Sequence, residues 1–307
     1  MRLFINAGFG EPIGASTLEW IRHAGFHGVR QDVPSSTLAA SLCAEFASTP
    51  LTPIFLVGGG QMGLEKSGTH PDVLAEVAYD VAIEAQRLGL FDRAQPAAIE
   101  LGNEPNVDGE RYADAPDVFA RFVREGAARI RAVSPRAVVV SGGISNTDRR
   151  GLEYLERAVR SGFPDECVIG YHSYRTTTTP ETPHDGFDTR GEEFARLTQL
   201  AAGRPIWCTE CGWHTAPSTV RSGLFGLRRR QVRFTDEQVA DFFEREAALH
   251  ARHGADVFAW FQLNDGGNPR HHEDAFGIRR ASGEVKPIGM RVARVGAAVA
   301  RREPPNQ

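Results

Sequence analysis

The chain has 307 residues, of which 41% are hydrophobic and 24% are charged, and its formal net charge is −4 at pH 7. This size and composition are typical of a soluble globular protein, and we predict one domain over residues 1–307. The slightly acidic balance lacks the clustered basic surface that binds nucleic acid or an anionic membrane, so the expected partner is a small uncharged molecule.

The amino-terminal segment reads as a strand. Residues 1–8 are short and apolar, without the basic start, longer apolar run and small-residue cleavage site of a signal peptide. No stretch approaches the roughly 18 apolar residues that span a bilayer. We therefore expect a cytoplasmic protein with no membrane partner.

Apolar runs typical of buried strands alternate along the chain with segments of helical spacing. The predicted strands begin near Leu3, His27, Leu51, Pro96, Ala137, Glu166, Pro205 and Ala255. The predicted helices cover residues 17–23, 35–46, 71–88, 115–133, 148–161, 191–202, 235–253 and 285–301. Eight such βα units predict an α/β protein with a single (β/α)8 TIM barrel. An open doubly wound sheet is the alternative, but the first turn lacks the complete phosphate-binding glycine motif.

Two predicted loops exceed the usual length of roughly two to six residues in βα units. They cover residues 174–188, rich in Thr and Pro, and residues 214–234, rich in Arg and Gly. Both follow strands at the end of a barrel where active sites are built, so we predict that they form the walls of a pocket. The tract Arg228, Arg229 and Arg230 is typical of a solvated loop.

Two glutamates stand at the ends of predicted strands. Glu104 follows the fourth strand and Glu210 ends the seventh. Hydrolysis of a glycosidic bond with retention needs one carboxylic acid and one nucleophilic carboxylate, about 5 to 5.5 Å apart. Side chains from different strands of a barrel converge at its mouth, so this pair suits an acid and a nucleophile. A helix cap is the alternative role for either residue.

The motifs around these glutamates resemble those of clan-A glycoside hydrolases, the superfamily of cellulases, mannanases and β-xylosidases. Asn103, Glu104 and Pro105 carry the resemblance after the fourth strand, and Thr209 with Glu210 carries it on the seventh. The resemblance covers the whole barrel. It implies that Glu104 is the general acid/base, that Glu210 is the nucleophile and that the substrate is a carbohydrate. It implies no cofactor.

Other positions fit the same resemblance. Val29-Arg30-Gln31-Asp32 on the second strand is similar to a family motif whose arginine braces the nucleophile, and Asn103 resembles the residue that holds the sugar 2-hydroxyl. Arg30 could instead pair with a structural acid.

The sixth and eighth strands extend the resemblance. His172 and Tyr174 are two residues apart on a strand and therefore share a side, from which Tyr174 could hydrogen-bond the nucleophile. Trp260 resembles the sugar platform of the family, and we expect Trp213 to line the same glycone pocket. The alternatives are a core histidine for His172 and barrel filling for Trp260.

Three further residues with acidic or thiol side chains are candidates for a role in the site or in a metal centre. Regular alternation points Glu100 inward together with Glu104 unless a bulge intervenes, and a buried Glu100 requires a cation or hydrogen-bond donors. Cys208 and Cys211 have the spacing of half a zinc or redox site, but residues three apart on a regular strand face opposite sides. Four cysteines in this length do not indicate a disulfide framework.

Two other functions compete with the glycosidase. A metal-dependent barrel hydrolase would use histidines such as those in His271-His272-Glu273-Asp274, but no H-E-x-x-H motif occurs and we expect no metal. A catalytically inactive carbohydrate-binding barrel would not need both glutamates. We therefore predict a retaining β-glycosidase, whose sugar and linkage the sequence leaves open.

Overall fold

The computed structural model describes residues 1–58, 71–107, 112–222, 228–268 and 270–300. One eight-stranded sheet is at its centre. Its strands are β1 (Arg2–Phe9), β2 (Gly28–Asp32), β3 (Thr52–Val57), β4 (Ala98–Leu101), β5 (Val138–Ser141), β6 (Ile169–His172), β7 (Ile206–Cys211) and β10 (Val257–Trp260). The helices are α1 (Ala15–Ala24), α2 (Ser36–Glu45), α3 (Pro71–Arg87), α4 (Pro116–Val133), α5 (Arg149–Arg160), α6 (Arg190–Ala201), α7 (Asp236–Arg252) and α8 (Pro287–Ala300).

The strands are parallel and form a nearly closed barrel. Their order is β5-β4-β3-β2-β1-β10-β7-β6, and bridges from Val140 to Val168 and from Ile144 to Tyr171 join the two ends of the sheet. The predicted (β/α)8 barrel is therefore confirmed. Among the described residues, no helix has the length and apolar character needed to cross a membrane.

Strand alternation sorts the apolar side chains into two layers. Phe4, Ile54, Trp207 and Val257 belong to a small cluster contributed by the strands alone, which fills the barrel interior. A much larger cluster packs the outer faces of the strands against the helices. The polar residues that end the strands stand above the inner layer, at the mouth of the barrel.

The helices begin and end close to their predicted limits. At the start of α7, Thr235 accepts a hydrogen bond from the backbone N–H of Gln238, and the Gln238 side chain accepts from the Thr235 backbone N–H in return. The last predicted position of the final helix, Arg301, lies outside the described residues.

The segment 214–234 differs from the predicted loop. It contains an antiparallel hairpin of β8 (Ser218–Ser222) and β9 (Arg228–Val232). The arginine tract is therefore part of a strand. This two-stranded ribbon is separate from the barrel sheet. Arg229 and Arg230 are both exposed, so the predicted solvation of these two side chains is confirmed.

Candidate active site

The C-terminal ends of the barrel strands open into a cavity of ≈1390 Å³. This is the end at which barrels of this kind build active sites. The lining includes both predicted catalytic glutamates, Glu104 and Glu210, together with Arg30, Asn103 and Tyr174. The structure thus brings most of the predicted site residues to one place.

Glu210 is held from three sides. Arg30 Nη1 donates to Oε1 at 2.6 Å, the Tyr174 hydroxyl donates to Oε2 at 2.6 Å, and His172 Nδ1 lies 3.8 Å from Oε2. Burial raises the pKa of the Glu210 carboxyl, but His172, Arg30 and Tyr174 together outweigh burial and hold this pKa below its usual value. Glu210 is therefore an ionised and oriented carboxylate.

Glu104 lies next to Glu210. Its Oε1 is 2.9 Å from His172 Nδ1, and one oxygen of each carboxylate lies within 4.8 Å of the other. The backbone of Glu104 has a φ of 45°, in the left-handed region that residues other than glycine seldom adopt. Such strained residues cluster at functional sites, where the surrounding structure holds them in place.

His172 connects the two carboxylates and is fully buried. Burial lowers the pKa of its imidazole, but the charges of Glu210 and Glu104 more than compensate, so the pKa of His172 lies above its usual value. Tyr174 follows the sixth strand by two residues and contacts Glu210 beside His172, with the two rings 6.1 Å apart.

Arg30 organises the floor of the cavity. Its Nε donates to Glu100 at 2.5 Å, and its Nη2 donates to Asn103 Oδ1 at 2.8 Å. Glu100 is fully buried and also accepts from Thr209 Oγ1 at 2.9 Å, so it has the cation and donor that its burial requires. Because an arginine can only donate, Arg30 engages the Asn103 amide oxygen, and no residue in the described part of the chain accepts a hydrogen bond from the Asn103 amide nitrogen.

A bulge in β7 sets the direction of Glu210. The register with β10 shifts between Cys208 and Cys211, so an extra residue is accommodated there. Thr209 and Glu210 consequently both contact groups at the mouth of the barrel. Our expectation that Cys208 and Cys211 face opposite sides was wrong, because the bulge places both buried thiols in the outer apolar layer. There Cys208 Sγ donates to the Glu210 backbone carbonyl at 3.3 Å and Cys211 Sγ donates to the Ser173 carbonyl at 3.1 Å.

The two predicted platform tryptophans do not line the cavity. Trp213 and Trp260 are fully buried with ring centroids 6.1 Å apart, and Trp260 packs edge to face on Phe243 of α7 at 5.4 Å. Alternation along β10 explains the difference: Ala259 belongs to the interior layer, so Trp260 faces the helices. The platform assignment is therefore corrected, and the next residue, Phe261, lines the cavity instead.

Four aromatic rings form one wall of the cavity. Phe261 is 5.8 Å from Phe9, 6.2 Å from Tyr174 and 5.6 Å from Phe276, measured between ring centroids. All four residues line the cavity. Aromatic faces of this kind can cover the apolar C–H side of a pyranose.

The other walls differ from those predicted. Segment 174–188 supplies only Tyr174 and Thr176 to the lining, and no described residue of segment 214–234 belongs to it. The walls come mainly from residues 8–13, at the end of β1 and directly after it, and from residues 261–266 and 272–276, after β10. His271 and His272, considered above as metal ligands, have side chains that are 50% and 58% exposed near the rim.

Two residues of the site were missed as functional candidates. Gly143 accepts a hydrogen bond from the Glu104 N–H at 2.9 Å, and a Cβ on Gly143 would lie 2.4 Å from His172 Nε2. Nothing in the sequence around Gly143 marks it, because the contact is long-range. Asp32 lines the cavity and is 7% exposed; its place in the Val29 to Asp32 motif was the available signal.

Three residues of the site could together hold a metal ion. Glu104, His172 and Glu210 each offer a donor atom within 4.8 Å of the others. Both oxygens of Glu210 are already engaged, however, by the Arg30 guanidinium and the Tyr174 hydroxyl. A second cation beside that guanidinium would be repelled, so the arrangement suits a carboxylate nucleophile better than a metal ligand.

No protein-family model matches the sequence, and no curated protein matches it. Solved structures match by fold. A family 39 glycoside hydrolase from Bacteroides cellulosilyticus WH2 has a TM-score of 0.67 at 17% identity, covering 98% of this chain and 64% of that chain. The exo-β-1,4-mannosidase Op5Man5 from Opitutaceae bacterium strain TAV5 has a TM-score of 0.68 at 16% identity, covering 98% and 60%.

A third match has nearly the same length as this chain. Thermotoga maritima Cel5A, solved in complex with cellobiose, has a TM-score of 0.62 at 13% identity, covering 96% of this chain and 97% of that chain. The chain spans less than two thirds of the first two structures. These likenesses show the fold: this chain has the barrel architecture of these solved glycoside hydrolases, as its pattern of strands and helices predicted.

Proposed function

We propose that this protein is a glycosidase that hydrolyses β-glycosidic bonds with retention, by double displacement. The observation that carries the proposal is the placement of Glu104 and Glu210, whose carboxylate oxygens come within 4.8 Å of each other in one cavity. Retaining enzymes hold their two carboxyl groups about 5 to 5.5 Å apart, whereas inverting enzymes need about 6.5 to 9.5 Å to admit a water.

In the first step, a Glu210 oxygen attacks the anomeric carbon while the bond from that carbon to the leaving oxygen breaks. Glu104 gives its proton to the leaving oxygen. In the second step, Glu104 takes a proton from water, the water oxygen attacks the same carbon, and Glu210 is released as a carboxylate. The Asn103 amide is placed to donate to the 2-hydroxyl, and Arg30 with Tyr174 keeps Glu210 ionised between turnovers.

The substrate under this proposal is a carbohydrate glycoside, and no nucleic acid or membrane partner is invoked. The cytoplasmic location stays a prediction from the sequence. A metal-dependent hydrolase and an inactive carbohydrate-binding barrel remain as competing functions, and turnover of aryl β-glycosides in the presence of a chelator separates them. We expect turnover with undiminished rate under chelation.

The two glutamates are distinguished by a series of aryl β-glycosides with leaving groups of graded acidity. Glu104→Ala should leave the glycosylation step with an acidic nitrophenol nearly intact and slow it with poor leaving groups by about 10²–10⁴-fold, the usual contribution of general acid catalysis. Glu210→Ala should be inactive with every leaving group. Equal losses at all acidities for Glu104→Ala would remove that residue from the acid role.

A further inference from the structure

The cavity carries a large excess of negative charge. Among the described residues of its lining, the ionisable acids are Glu11, Asp32, Glu104, Glu210, Asp265, Glu273 and Asp274. Arg30 is the one lysine or arginine in that described lining, and it already donates four hydrogen bonds to protein acceptors. A cleft with charges of one sign concentrates ligands of the opposite charge, so this cavity disfavours acidic sugars and favours cationic ones.

Several of these acids have partners within the protein. Glu210 is bonded to Arg30 and Tyr174, and Asp265 Oδ1 accepts from Lys286 Nζ at 2.7 Å. Glu104 lies against His172.

Asp32 is different. It is 7% exposed and lines the cavity, yet no residue in the described part of the chain donates a hydrogen bond to its carboxylate. Burial is the largest influence on the Asp32 carboxyl and raises its pKa to about 7. The positive charge of Arg30 lowers this pKa, whereas the negative charges of Glu210 and Glu100 raise it. Burial disfavours the charged form of a carboxylate to which no described residue donates, so the burial of Asp32 favours its protonated form.

We propose that the glycone side of this cavity binds a sugar bearing a free primary amino group, whose ammonium donates to Asp32. The inference relies on the proposed glycosidase function in one respect, which is that the ligand is a glycoside. An ammonium supplies three N–H donors and a positive charge. Its charge takes the place of the proton on Asp32. A hydroxyl supplies one donor and no charge, and an acetamido group adds bulk without charge.

Calorimetric binding to the wild-type protein near pH 7 tests this directly. The probes are methyl β-glycosides of 2-, 3- and 6-amino hexoses in the gluco, galacto and manno configurations, each beside its hydroxyl and N-acetyl counterparts. We expect at least one amino sugar to bind ten-fold or more tightly than both counterparts. Amino sugars that bind no better than their hydroxyl counterparts anywhere in the panel would overturn the inference.

A pair of variants assigns the preference to Asp32. Asp32→Asn keeps the shape and removes the charge, and it should reduce the amino preference to about three-fold or less. Asp165→Asn makes the same change in net charge at a side chain that is 99% exposed and outside the cavity lining, and it should keep the preference. An Asp32→Asn protein that retains the full preference would contradict the assignment.

Binding and turnover separate the two proposals. Hydrolysis of neutral aryl β-glycosides without any amino preference would leave the glycosidase proposal intact and refute the amino-sugar inference. Tight amino-sugar binding without turnover of any glycoside would support the amino-sugar inference and refute the glycosidase proposal.

Discussion

The Tyr174 hydroxyl donates a 2.6 Å hydrogen bond to Oε2 of Glu210. Because this bond favours the ionised carboxylate, it contributes to the lowered pKa of Glu210. The bond also orients the carboxylate, since Arg30 engages the other oxygen.

Replacement of Tyr174 by phenylalanine should therefore shift the acid limb of the pH–rate profile to higher pH. A hydrogen bond to a charged group contributes about 1.5–3 kcal/mol, so we expect kcat/KM at the optimum to fall by roughly 10- to 100-fold. The measurement is kcat/KM against pH for both proteins. An unchanged acid limb would show that Tyr174 does not act on the carboxylate.

Arg30 should be a determinant of folding as well as of catalysis. Arg30→Met leaves the buried Glu100 and Glu210 without their cation, and breaking a buried ion pair in this way destabilises proteins by about 3–5 kcal/mol. Arg129→Met is the matched control, because the Arg129 pair with Glu76 is largely exposed and should contribute about 1 kcal/mol or less. Urea denaturation at pH 7 compares the two, and equal losses would contradict the prediction.

The same ion pairs give stability a defined pH dependence. The pKa of Glu210 is lowered in the folded protein, so its contribution is complete above the unfolded pKa of about 4.3 and is lost as pH falls through the folded value. Stability should thus decline below about pH 4, and Glu210→Gln should weaken that decline. Denaturation midpoints measured at several pH values between about 3 and 7 provide the check.

Gly143 should not tolerate a side chain. A Cβ at this position would lie 2.4 Å from His172 Nε2 and 2.7 Å from Thr209 Oγ1, so Gly143→Ala must displace the histidine that contacts Glu104. We expect a loss of about 1–3 kcal/mol in stability from overpacking, with a larger loss in kcat than in substrate binding. Gly191→Ala, where the nearest atom is 3.7 Å away, should be harmless to both. Full activity in Gly143→Ala would refute the packing argument.

Trp260 and Phe261 should respond in opposite ways to truncation. Trp260→Ala removes a fully buried ring and should destabilise the fold by about 3–5 kcal/mol. Phe261→Ala removes a ring from the cavity wall and should raise KM for glycosides with a smaller change in stability. Thermal denaturation and steady-state kinetics of both variants distinguish core from cavity. A stable Trp260→Ala protein with weakened substrate binding would restore the original platform assignment.

The barrel was predictable because its signals are local. Apolar runs and helical spacing depend on near neighbours in sequence, and the structure follows them closely. The position of Glu104 and Glu210 at the cavity could also be predicted, because the barrel topology places the C-terminal ends of all strands at one mouth.

The incorrect predictions concerned the directions in which side chains point. A shift of one residue along a strand exchanges the inner and outer faces, which is the difference between Trp260 and Phe261. The bulge that brings Cys208 and Cys211 together depends on pairing with a distant strand. The crowding at Gly143 likewise involves a residue far away in sequence, so no local pattern could indicate it.

The configuration of the first-formed product tests the central proposal most directly. Proton NMR recorded within the first minutes of hydrolysis of an aryl β-glycoside reports the anomer before mutarotation mixes the two forms. Because Glu104 and Glu210 stand at a separation suited to double displacement, we predict that the β anomer appears first. Initial formation of the α anomer would contradict the assignment of Glu210 as nucleophile.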